Sequence, residues 1–493
     1  MDKKLTYNLF FIGLVFYCIY LLGLEFPSPL WGVHFPAFLS DSGKYAIFIL
    51  AGVLVILDVF PGFSLWRKLS NLNLAKNQKH FFTIGIVILS GILFTYFPVF
   101  KDTYGDAEFI PGNLDYRITK WDSRLLTDFF RMNFIHPKVG IDTVSSLTNL
   151  TAYLTGMTAA KALLTLNTFC GMGLVYLWIR LVDYFIQDNI IKWATWLMGL
   201  TAPCMQMYFG HYEFYAPVYL AMLSFLACLV FYLQTHKKVY LWWLIPLFFI
   251  NIKSHITSYL LIIPLAMAFM YEFWPDFRER LSWKRITLYG LLPMFLLGLV
   301  LYFFVLESYD GPRGYTDQTL EKALFLPLFT FEPPPLDRYN LFSSSHLTDY
   351  VNLLFIWSPV ALLLLVCAIL CYRKRITWSN HLLMFTGLVS IIYAGAFFVL
   401  NPLLSMMIDW DLFSIPAPIL WVFVLLLYAS IEKTSSPHIS LGAILALSLF
   451  SITSFWVNAH QTSLSRRYKF IGKREFKTYW IGSSTTILNS LKL

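Results

Sequence analysis

Apolar runs close to the length of a bilayer crossing recur from one end of this chain to the other. A helix needs about 20 apolar residues to cross the hydrocarbon. In lipid every backbone polar group must be bonded within the protein, so only helices or a closed barrel can span it. The runs here are continuous and too long for barrel strands, which are about 10 residues of alternating polarity. The chain is therefore expected to be all-α and polytopic. Its 493 residues are 58% hydrophobic and 13% charged, which excludes an ordinary soluble domain. The formal charge of +9 is no sign of nucleic-acid binding, because most Lys and Arg sit in short loops between apolar runs, where they set orientation. Nearly all of the six cysteines stand in apolar runs, with no metal spacing and no disulfide framework. The N-terminal run has a basic start but no small-residue cleavage site, and reads as a retained first helix.

The charge rule orders these runs. Lys3 and Lys4, and the loop holding Arg67, Lys68, Lys76 and Lys79, are placed in the cytoplasm. The spans before that loop cover 5–24 and 44–60, and the third, 81–99, exits on the far side. Spans at 160–182, 190–208 and 217–234 follow. The stretch around Asn251–His255 is read as a break between two helices, the first of them short. One continuous helix would place Arg278, Arg280, Lys284 and Arg285, and later Arg373–Arg375, outside. Further spans cover 286–306, 351–372 and 381–400, one ends near 431, and the last covers 440–457. The sum is about thirteen. Residues 1–459 form the membrane domain, with extracytoplasmic loops at 100–150 and 307–350, and 460–493 form a short basic tail, outside on this count.

The unusual polar residues then gather on one face. Segment 101–140 carries Asp102, Asp106, Glu108, Asp115, Asp122, Asp128 and His136-Pro137, with a surface helix expected over 114–129. The turn at 210–217 holds His211 and Glu213, the break holds Lys253 and His255, the PPP-containing loop holds Arg338, and a DWD turn holds Asp409 and Asp411. Five such segments on one face predict a shared outward-facing cavity. In extended backbone, residues two apart point to one side, so Asp106 with Glu108, and Asp409 with Asp411, are expected to pair. Such a pair can take a proton from a hydroxyl nucleophile, or hold a divalent cation that neutralises a phosphate. Lys253, His255, Arg338 and Arg313 can face a phosphate leaving group. Each also has a plain structural role open to it: the acids as a solvated loop, the histidines bonded to a helix end, Lys253 snorkelling, Asp409 as a helix cap. NLT at Asn149 is a glycosylation acceptor if the chain enters a eukaryotic secretory membrane.

The order acidic pair (Asp106, Glu108), amphipathic helix, His136-Pro137, span resembles the GT-C class of polytopic glycosyltransferases. The protein O-mannosyltransferase and lipid A aminoarabinose transferase group is the most similar. The likeness is partial. Two spans, not one, precede the span leading into the acidic loop, Lys138 replaces a proline, and Ala107 splits the acidic pair. The resemblance implies transfer of a sugar from a polyprenyl-phosphate donor to a glycan, lipid or protein acceptor on the outer face. It implies Asp106, or Asp102, as the base, assisted by Glu108, with His136 near the acceptor. A divalent cation is the one cofactor considered, with no metal ligands assigned. The membrane favoured is a bacterial inner membrane, with the site facing the periplasm or exterior. The rival expectation is a transporter or lipid-linked saccharide flippase, which would carry ionisable groups near the bilayer midplane. Others are a non-catalytic scaffold, or another enzyme using the same lipid carriers.

Overall fold

A computed structural model describes residues 3–58, 76–99, 139–286, 325–326, 340–402, 406–434 and 438–478. The described residues are helical, without strands. The main helices are α1 (Lys3–Glu25), α2 (Asp41–Leu57), α3 (Lys76–Tyr96), α4 (Val139–Thr155), α5 (Ala159–Phe185), α6 (Asn189–Leu200), α7 (Ala216–Thr235) and α8 (Lys238–Ser254). They continue with α9 (Ile262–Phe273), α10 (Ser344–Trp357), α11 (Pro359–Tyr372), α12 (His381–Val399), α13 (Ala417–Glu432), α14 (Leu441–Ala459) and α15 (Gln461–Thr478).

Eight described segments are long and apolar enough to cross a membrane, or nine if one bent pair counts as a span. They fall on the first, third, fourth, sixth, eighth, eleventh, twelfth and thirteenth expected spans. The protein is thus an all-helical integral membrane protein. The other five expected spans differ for separate reasons. α2 and α8 have 17 residues each, a little short of a crossing. The expected span at 286–306 lies outside the described residues beyond Ile286. The fifth is interrupted, because α6 stops at Leu200 and Pro203 opens a separate 3-10 turn, Pro203–Tyr208. The tenth is bent by 99° between α10 and α11. Pro359 accounts for that bend: it disfavours helical backbone at Ser358, and Ser358 sits extended at φ 172°. The Ser358 hydroxyl caps the Ala361 N–H at 3.0 Å and donates to the Met198 carbonyl at 2.8 Å, so the break is satisfied internally.

Two segments read only as loop and tail hold helices not expected there. α4 occupies the end of the expected 100–150 loop, and α15 most of the described tail. Asn149 stands on α4 and is buried, so its sequon is closed to a glycosylating enzyme in the folded state. Arg467 of α15 is buried too. Its Nε–H donates to His34 Nε2 at 2.9 Å, its Nη1 to Asn458 Oδ1 at 3.0 Å, and its guanidinium stacks on Phe35. His34 Nδ1 is 2.7 Å from the Pro27 carbonyl, so that nitrogen carries the proton and Nε2 accepts.

The core lies around α13, buried over 89% of its most apolar window, against 17% for lipid-facing α3. α13 packs on α7, α11 and α12, and α7 packs on α5 and α8. Buried indoles find partners: Trp357 donates to the Phe413 carbonyl at 2.9 Å, and Trp421 to the Trp357 carbonyl at 3.0 Å. Polar contacts fall at two ends of this bundle. At one end Glu432 accepts from the Gln187 N–H and the Asp188 N–H, Thr434 donates to the Arg375 carbonyl, and Asp58 accepts from Gly442 and Ala443 at the start of α14. Arg373–Arg375 belong to this end, which the charge rule makes cytoplasmic. The opposite end of α14 carries Asn458, which meets Arg467, and the chain leading into α13 carries Asp411.

Candidate functional site

The opposite end is where the polar segments meet. α3 runs out at Tyr96, and the Val99 N–H donates to the Phe209 carbonyl at 2.6 Å. Gly210 follows at φ +75°, a left-handed backbone that glycine adopts without strain. A side chain there would also strike Pro98, at 2.7 Å from its Cβ. The chain then runs through His211, Tyr212 and Glu213 without helix or strand, until Pro217 enters the first turn of α7.

Asn167, a third of the way along α5, fixes this turn. Its amide donates to the His211 carbonyl at 3.0 Å and to the Glu213 carbonyl at 3.2 Å. The two residues, one position removed from neighbours, therefore present both side chains to one place. The third member comes from the turn Trp410–Phe413 ahead of α13. Asp411 Oδ2 lies 3.0 Å from His211 Nε2, while its Oδ1 accepts from the Leu412 N–H at 2.9 Å. The Trp410 ring packs 5.5 Å from the imidazole. His211, Glu213 and Asp411 are only 2%, 6% and 3% exposed, and one donor atom from each lies within 4.8 Å of the others. At that burial bulk water is largely excluded from them. They can hold a proton among themselves, brace the turn, or take an ion.

The extended backbone from which Asp409 and Asp411 are expected to pair is not what the chain adopts there. Extended backbone would have aligned them, but Trp410 opens a helical turn, where residues two apart diverge. Asp409 begins that turn without a side-chain cap, its carbonyl accepting from the Phe413 N–H at 3.1 Å. His211 and Glu213, also two apart, do bring a donor atom each to one place.

Lys253 and His255 stand where expected, at the break between α8 and the 3-10 turn Ile256–Leu261. His255 N-caps that turn: its Nδ1 accepts from the Thr257 N–H at 3.3 Å and faces the Thr257 hydroxyl at 2.7 Å. Its ring meets Tyr215 edge-on at 5.4 Å, which joins the break to the His211 turn. Part of the ring surface is open, yet protein surrounds it, and this burial pushes the imidazole pKa down to about 4. Burial thus favours the neutral imidazole as the cap and opposes the cationic role expected of His255.

Asp102, Asp106, Glu108, His136, Arg313 and Arg338, and the surface helix at 114–129, lie outside the described residues. The flanks of their segments do not. Val99, ahead of the acidic segment, is bonded to Phe209; Val144 of α4, just after it, packs with Phe214 and Tyr212. Leu326, ahead of the PPP segment, donates to the Val399 carbonyl at 2.9 Å, and α10, after it, touches the Trp410–Phe413 turn. Asn167 escaped the sequence reading, although an amide inside an apolar run is itself a signal. A cavity of about 430 Å³ lies at the other end, the one that holds Arg373–Arg375, lined by Gln187, Gln234, Asn380, Ser430, Glu432 and Lys433 among others.

The class these observations define is a helical integral membrane protein with a buried His-Glu-Asp cluster at one end. Comparison with protein-family models, curated proteins and solved structures returns no match.

Proposed function

We propose that this protein is a membrane glycosyltransferase that transfers a sugar from a polyprenyl-phosphate donor to an acceptor on the extracytoplasmic face. One observation carries the reading. Three polar segments far apart in sequence meet at one end of the bundle, through His211–Asp411 and Tyr215–His255, and the flanks of the acidic and PPP segments end beside them. The acidic segment bears the order of motifs on which the resemblance to GT-C enzymes rests.

In the transfer, the bond from the sugar's anomeric carbon to the phosphate oxygen breaks as a bond to the acceptor oxygen forms. The acceptor's proton passes to a carboxylate, for which Asp106 is first choice and Asp102 second, with Glu108 assisting. The polyprenyl phosphate departs with the bonding pair, and positive charge nearby stabilises it. Arg338 and Lys253 are the residues we assign to that part, ahead of His255, whose imidazole is kept neutral by burial.

The test uses purified wild type and Asp106→Asn with polyprenyl-phosphate sugars. Lipid binding is followed by native mass spectrometry and turnover by release of lipid phosphate. Wild type is expected to bind and turn over. The variant is expected to bind while its turnover falls about a hundredfold or more, the usual scale for a lost general base. Equal turnover would move the base to Asp102. A folded wild type that binds no such lipid would favour the second reading, a transporter or flippase. The 99° break at Ser358 and the cavity at the cytoplasmic end are what favour that reading.

A further inference from the structure

We propose that His211, Glu213 and Asp411 form a site for one divalent transition-metal ion of the manganese or zinc type. The donors are one imidazole nitrogen and a carboxylate oxygen from each acid, all within 4.8 Å of one another. Ligands at ~2.1 Å from an ion and at right angles stand ~3.0 Å apart, and opposite ligands ~4.2 Å apart. His211 Nε2 and Asp411 Oδ2, at 3.0 Å, already have the first spacing. The Glu213 oxygen, within 4.8 Å of both, closes by about 1.8 Å at most, within reach of a side-chain rotation.

The chemistry of the set selects the ion. Carboxylates alone suit magnesium and calcium, while an imidazole among them shifts preference to manganese, iron and zinc. Three protein ligands leave coordination positions open, as in catalytic rather than purely structural sites. Burial matters as well. Two carboxylates brought this close in a dry site repel each other, and a dication or a shared proton relieves that.

The supporting shell is also in place. Asn167 ties the carbonyls of His211 and Glu213 and so fixes their separation, and the Leu412 N–H orients Asp411 through the oxygen that does not face His211. One anchor comes from α5 and the other from the short turn Trp410–Phe413 ahead of α13. The ligands come from segments some 200 residues apart in sequence, so a bound ion would also clamp the His211 turn to α13. The ion would lie beside the described flanks of the acidic segment, where a phosphate oxygen could take an open position; that last role, unlike the site itself, rests on the transferase reading.

The test is metal binding without any lipid donor. Purified protein is stripped with chelator, and Mn²⁺ is titrated while the signal of the free aqua ion is read by electron paramagnetic resonance. Zn²⁺ is titrated separately by calorimetry. Wild type is expected to bind one equivalent, with Glu213→Gln and Asp411→Asn each weakening affinity at least tenfold. Circular dichroism of both variants checks that the helices persist. Absence of stoichiometric binding by wild type would overturn the site, as would equal affinity in two folded variants. Because binding is read without turnover, a metal-binding protein that transfers no sugar keeps the site and loses only the transferase reading.

Discussion

His255 shows how a residue's environment changes its meaning. As a sequence feature it is a histidine beside a lysine at a helix break, a natural partner for a phosphate. In the fold its Nδ1 accepts from Thr257, and burial holds its pKa at about 4. The unfolded value is ~6.5. The unfolded state therefore takes up a proton first as pH falls, and stability present above ~6.5 is lost progressively down to about 4. His255→Asn keeps an acceptor for the cap and removes the titration. The melting temperature of wild type in detergent should fall more steeply between pH 7 and 5 than that of the variant; parallel profiles would contradict the neutral cap. Asn167 has the opposite history. It stands inside an apolar span and attracts no attention as chemistry, yet it holds two of the three cluster residues in register. Asn167→Leu leaves two buried carbonyls without that donor, at a cost of about 1–3 kcal/mol. Thermal unfolding should register that loss, and metal affinity should drop with it. A melting temperature unchanged from wild type would show that the turn is held by other means.

At the level of helices, what was readable depended on whether the relevant force was local. Hydropathy and charge are local, and eight crossings stand where they place them. The breaks at Pro203 and Ser358–Pro359 were also written locally, as prolines inside apolar runs, but hydropathy averages over them. Helix α4 and the burial of Arg467 depend on tertiary partners, α5 and α8 for one and His34 for the other, and a window along the chain does not see these. The junction of α2 with α14 is of this second kind. Gly442 lies so close that a Cβ there would come 2.0 Å from the Leu54 carbonyl oxygen, while Asp58 accepts from the first N–H groups of α14. Gly442→Ala should force the two helices apart and cost about 1–3 kcal/mol or more. Asp58→Ala removes the cap without adding bulk and should cost about 1 kcal/mol. Melting curves that rank these two variants the other way round would mean that the helices separate more easily than their contact implies.

Over the whole molecule, the polarity of the bundle's two ends is the organising fact. Basic loops, the caps made by Asp58 and Glu432, and the cavity lie at one end; the His-Glu-Asp cluster and the flanks of the acidic and PPP segments lie at the other. Of the five polar segments that the charge rule gathers on one face, three lie among the described residues, and those three meet at one end. The sequence did not foretell which residues touch. His211 and Asp411 are 200 positions apart, and nothing in the spacing of either motif names the other. The proposed transfer makes the far end the working end. Its most direct test is turnover of a polyprenyl-phosphate sugar in lipid nanodiscs by wild type, Asp411→Asn and Lys433→Ala, the last at the cytoplasmic cavity. Asp411→Asn should lower turnover at least tenfold with the fold intact, and Lys433→Ala should leave it near the wild-type rate. Loss of turnover in Lys433→Ala with full activity in Asp411→Asn would place the working end on the cytoplasmic side and contradict the account.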